Sequence, residues 1–129
     1  MNSVSSNAVA QKFNNVKENF YTLLKAQAIT TSYATYSFYD NRKLSDYDYI
    51  NFYVGLYAND CFYPRGYMRI PSMLFGDINL KQITRVDVPC VGSNNENVSF
   101  RYLNDTQIDI CLFNTTGWYV KILGEKITS

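Results

Sequence analysis

The sequence predicts a mainly β protein, an antiparallel β-sandwich or jelly-roll-like head preceded by one α-helix. Three observations carry this prediction. Apolar residues recur in steps of four and three through residues 7–24, the apolar period shortens to two from Ile29 onward, and turn residues separate the alternating runs at short intervals. At 129 residues the chain has room for one buried core. We divide it into a helical neck, residues 1–27, and a head domain, residues 28–129.

The helix is read from "NAVAQKFNNVKENFYTLL", where Val9, Phe13, Val16, Phe20 and Leu23 form a strict heptad stripe. Phe13 and Phe20 fall at a, and Val9, Val16 and Leu23 at d. Ser5 or Ser6 supplies an N-cap hydroxyl for the first free N–H groups. So narrow a stripe fits an oligomeric neck, with bulky Phe at a favouring three strands, or a helix folded back on its own domain. A helix this short is marginal alone, so either reading requires a cover for the stripe.

The strands follow. In "INFYVGLY", Ile50, Phe52, Val54 and Leu56 point one way and Asn51, Tyr53, Gly55 and Tyr57 the other, and Asn59-Asp60 supplies a turn. "VSFRYL" sets Val98, Phe100 and Tyr102 on one face. Asn104-Asp105 then turns the chain into "QIDICLF", with Ile108, Ile110 and Leu112 inward. After residues 114–117, "WYVKIL" places Trp118, Val120 and Ile122 together, so the last three strands read as a meander. Weaker strand candidates are residues 32–38, 67–70 and 82–88, with Pro64, Pro71 and Pro89 near strand ends.

Composition narrows the function. Twelve basic against eleven acidic residues leave a net charge of +1, without the basic cluster that nucleic acid requires. No apolar run is long enough to insert into a membrane, and the start does not resemble a signal peptide. There is no His, so the usual general base near neutral pH is missing, and no cofactor motif occurs. Cys61, Cys90 and Cys111 have no CxxC spacing and read as buried free thiols. Asp46 and Asp48 lack the other ligands of a calcium loop and read as a solvated turn. Three sequons, beginning at Asn97, Asn104 and Asn114, read as polar turns. The chain is therefore expected to be non-enzymatic, without metal or cofactor.

Binding chemistry is better supplied, by twelve Tyr, eight Phe and fourteen Asn. Tyr53, Tyr57 and Tyr119 alternate outward on their strands, and "CFYPRGYMR" gathers Tyr63, Arg65 and Tyr67 at an expected exposed turn. Tyrosine presents a flat surface and a hydroxyl at small entropic cost, which suits sugars and protein surfaces. These six residues are the candidate receptor-binding surface. Cross-strand tyrosine pairs also stabilise sheets, so each ring has a purely structural reading beside the binding one.

The entry "NSVSSNAVAQKF", followed by a β-rich head, resembles the C-terminal parts of phage tail fibres, particularly those of gut phages and prophages. The residues that carry the resemblance are Val4, Ser5, Ser6, Asn7, Ala8 and Val9. It implies a homotrimer on a virion, made in the host cytoplasm and acting outside the host cell, with a coiled-coil neck and a β-sandwich adhesin head. The implied partners are a host cell-surface glycan or protein and other tail proteins. No receptor-binding residues carry over, because such heads diverge strongly, and the absence of a long shaft makes a terminal fragment or a short fibre the expectation. The alternatives are a structural baseplate or fibre-assembly module and a small carbohydrate-active domain.

Overall fold

A computed structural model describes residues 19–76, 83–90, 96–112 and 117–127. Among these the chain is mainly β, with three short 3-10 turns and no α-helix. The strands are β1 (Phe20–Ala28), β2 (Ala34–Ser37), β3 (Tyr49–Ala58), β4 (Cys61–Pro71), β5 (Arg85–Pro89), β6 (Asn97–Asn104), β7 (Gln107–Leu112) and β8 (Tyr119–Glu125). They form two four-stranded antiparallel sheets, ordered β1-β8-β3-β4 and β2-β7-β6-β5.

The inward residues of both sheets meet in one core. Ile50, Phe52 and Val54 of β3, Val98 and Phe100 of β6, Ile108, Ile110 and Leu112 of β7, and Val120 and Ile122 of β8 are all fully buried. Phe52 joins the layers, its ring 4.7 Å from that of Phe100 and 5.4 Å from that of Phe75. The alternation expected for these strands is present. Asn59 and Asp60 both take positive φ, as a two-residue hairpin turn with the right-handed twist requires. Beyond β2, Phe38, Leu44 and Tyr47 are buried over one end of the core. Tyr47 lies so close to Gly124 that a Cβ there would sit 2.5 Å from its ring.

The expected helix is overturned where the structure describes it. Phe20 and Leu23 lie in β1, and the expected boundary between residues 27 and 28 falls inside that strand. The rest of the expected neck stripe, Val9, Phe13 and Val16, lies outside the described residues. The helical rhythm at the end of the stripe has a β explanation. Register shifts between Thr22 and Leu24, and again between Leu24 and Gln27, insert extra residues against β8. Leu23 and Leu24 are consequently both buried, while Phe20 remains 37% exposed. A bulged strand thus imitates the spacing of a helix, and β1 supplies the hydrogen-bond partners that β8 needs on that side.

The expected meander is also corrected. β6 and β7 form a hairpin, but β8 crosses to the other sheet and pairs with β1 and β3. The residues on either side of the crossover are held to the β1–β2 connection: Ile29 N–H donates to the Trp118 carbonyl at 3.3 Å, and Leu112 N–H to the Thr30 carbonyl at 2.9 Å. Alternation on both sides of a polar loop is the same whether the next strand turns back or changes sheet. Cys90 and Cys111 are buried thiols, whereas Cys61 is exposed. Burial pushes the Cys90 thiol up to about 11.

Candidate functional site: the outer face of β1-β8-β3-β4

Cross-strand partners share a face, so the register fixes what this sheet shows to solvent. Tyr53 of β3 faces Tyr67 of β4 on one side and Lys121 of β8 on the other. Gly55 lies between Tyr119 and Pro64, and Tyr57 opposite Phe62. The Tyr53 and Tyr67 rings lie 4.8 Å apart, and the Tyr57 and Tyr119 rings are stacked at 5.3 Å. Tyr57 and Tyr67 are 42% and 51% exposed. The outside of a sandwich sheet is ordinarily polar. Here it carries paired aromatic rings in the middle of the sheet.

Glycine and a bulge make this surface possible. A Cβ on Gly55 would stand 2.1 Å from the Tyr63 carbonyl oxygen, so only glycine lets β4 pass at that point. Between Val54 and Gly55 the register of β4 jumps from Gly66 to Pro64, leaving Arg65 as the extra residue. The segment expected as a turn is therefore a continuous edge strand, in which a proline is tolerated.

At one end of the face the polar groups form a fixed network. Asn51 is fully buried; its Oδ1 accepts the Tyr67 hydroxyl at 2.6 Å and its Nδ2 donates to Glu125 Oε1 at 3.2 Å. Arg69 donates to both Glu125 oxygens, at 3.0 and 2.8 Å, and its guanidinium lies 3.6 Å from the Tyr49 ring centre. Those Arg69 hydrogen bonds hold the Glu125 carboxyl below its ordinary range. Burial raises the Tyr53 and Tyr67 hydroxyls, so both stay neutral through the physiological range. At the other end a groove of about 410 Å³ opens between Tyr53, Phe62, Pro64, Lys121 and Leu123, with Cys61 at its edge.

Of the six candidate residues, Tyr53, Tyr57, Tyr67 and Tyr119 come together on this face. Arg65 is exposed at the bulge. Tyr63 does not join them: it lies opposite Leu56, on the other side of the hairpin, although it is 48% exposed. The candidate set lacked Asn51, Lys121 and Glu125, and it left out Phe62 and Arg69 although both lie in the segment, residues 61–69, read as an exposed turn of binding residues. Lys121 was within reach of the period-two pattern, since it alternates outward beside Tyr119. The Arg69–Glu125 pair spans 56 positions and leaves no local signal.

A larger depression of about 1040 Å³ lies at the edge of the other sheet, lined by residues that include Ile83, Arg85, Arg101 and Leu103. Both arginines are already ion-paired, with Asp87 and Asp109 at 3.1 Å each. Asp48, one of the turn carboxylates, accepts the Ile127 N–H at 2.6 Å. Among the described residues no group of three His, Cys, Asp or Glu is placed to hold a metal ion, and no helix is long and apolar enough to cross a membrane. Comparison with known proteins finds no matching family, no similar curated protein and no similar solved structure.

Proposed function

We propose that this domain is a non-enzymatic receptor-binding head, the distal domain of a phage tail fibre that acts as a homotrimer on the virion. It would contact a host cell-surface glycan or protein through the outer face of β1-β8-β3-β4. The observation that carries the reading is the pairing of a half-buried ring with an exposed one, Tyr53 with Tyr67 and Tyr119 with Tyr57, on a face where solvent alone would favour polar side chains. The motif from Val4 to Val9 supplies the phage context. Trimeric display would turn weak contacts at each face into useful avidity. With Phe20 and Leu23 inside a strand, the trimer does not rest on the five-residue stripe.

The test is staining of gut bacterial isolates with fluorescently labelled protein, alongside light scattering at micromolar concentration. The proposal predicts a trimer that stains at least one isolate, with staining lost in Tyr57→Ser/Tyr119→Ser. A monomer would remove the trimeric part. Staining that survives the double change would remove this face as the receptor site. Binding to isolated virion proteins without any cell staining would favour an assembly module instead.

A further inference from the structure

We infer that the groove beside Tyr53 takes a carboxylate-bearing saccharide, of the uronic or sialic acid type, with Lys121 as the partner of the carboxylate. The inference rests on the receptor-binding reading of this face and adds the chemical class of the ligand. Its starting point is an imbalance of charge. Glu125 is the carboxylate on this face, and both its oxygens are occupied by Arg69 while Oε1 also accepts from Asn51. Asp60, in the β3–β4 turn, does not line the groove. Lys121 projects from β8, a central strand flanked by β1 and β3, and is half-buried among Tyr53, Phe62, Pro64 and Leu123. It makes no ion pair among the described residues, and neither does Arg65 at the neighbouring bulge. On the opposite sheet, by contrast, Arg85 and Arg101 are both matched by aspartates.

A lysine lining a groove of mainly apolar side chains, with no ion-pair partner among the described residues, is a natural point of attraction for an anion. The walls decide what the anion is attached to. Tyr53 and Phe62 offer flat surfaces to the C–H face of a sugar ring, and the stacked Tyr57 and Tyr119 extend that platform. The volume falls in the range of small-ligand sites. One lysine, with no guanidinium fork beside it in the groove, fits a single-charged carboxylate better than a phosphate dianion.

The test measures binding of oligogalacturonate and oligosialate, each beside its own carboxyl-reduced counterpart, by titration calorimetry at low and moderate salt. At least one acidic form should bind tenfold or more tightly than its reduced form, with the advantage falling as salt rises. Lys121→Gln should bring the acidic form down to the affinity of the reduced one, while Lys121→Arg keeps part of the difference. Circular dichroism and melting establish that both variants are folded. Tyr53→Ala should weaken both forms alike. Equal binding of acidic and reduced forms, or an advantage unchanged in Lys121→Gln, would overturn the inference. If the protein stains cells through this face yet binds neither acidic form, the inference fails and the receptor-binding reading stands. If it binds an acidic form and stains no cells, the receptor-binding reading fails and the inference stands.

Discussion

On the outer face of β2-β7-β6-β5, side chains are matched to one another. Thr35 Oγ1 donates to Asp109 Oδ1 at 2.6 Å and Arg101 to Asp109 Oδ2 at 3.1 Å, while Ser99 and Arg85 both donate to Asp87. The Arg101 guanidinium also covers the Tyr33 ring at 3.8 Å. Among the described residues the outer face of β1-β8-β3-β4 has one such network, around Glu125, and then gives way to paired tyrosines, a groove and Lys121, which makes no ion pair there. Both sheets turn one side to the shared core, so the core does not demand the difference. A face whose polar groups satisfy each other gains nothing by meeting a partner. A face that leaves flat rings and a cation in contact with water does.

The largest expected effect lies beneath both faces. Phe52→Ala empties a fully buried site between Phe75 and Phe100 and should cost about 3–5 kcal/mol in urea denaturation, with both sheets lost in one transition. Separate transitions for the two sheets would break the view of a shared core. Next, Asp109→Ala leaves Thr35 and Arg101 without their acceptor and should cost on the order of 1–2 kcal/mol, with cell staining intact. Smaller again, Tyr57→Ser/Tyr119→Ser should change stability by only about 1 kcal/mol, because the pair is partly exposed, while abolishing staining. Asp109 is thus expected to matter for stability and the tyrosine pair for binding, and a reversal of that order would undo the comparison.

The smallest effect is a pH dependence. Arg69 lowers the folded-state pKa of Glu125, so the pair's contribution is complete above the unfolded glutamate value, about 4.3. It is lost as pH falls through the lower folded value. Glu125→Gln should therefore narrow the stability difference between neutral and acid solution, read as urea midpoints from pH 7 down to pH 3. The wild type and the variant should converge at the acid end. An unchanged acid limb would show that the network does not stabilise this face.

What the sequence made legible follows from local rules. Tyr53, Tyr57 and Tyr119 were readable as outward because strands alternate, and Asn59-Asp60 was readable as a turn because both residues tolerate positive φ. Tyr63 and β1 escaped for a single reason: bulges shift the period, so Leu23 and Leu24 are buried together and Tyr63 turns away from Tyr67. The passage of β4 through Pro64 is tolerated because β4 is an edge strand, a property of the assembled sheet rather than of the segment. The crossing of β8 and the meeting of Arg69 with Glu125 depend on contacts far apart in the chain.

The central claim is that the two outer faces divide the work, one structural and one binding. It is tested most directly by staining host cells with two folded variants side by side: Tyr53→Ser/Tyr119→Ser on the aromatic face and Arg85→Gln on the polar one. The account predicts that the first loses staining and the second stains like the wild type. Loss of staining in Arg85→Gln, with the tyrosine variant unaffected, would contradict it.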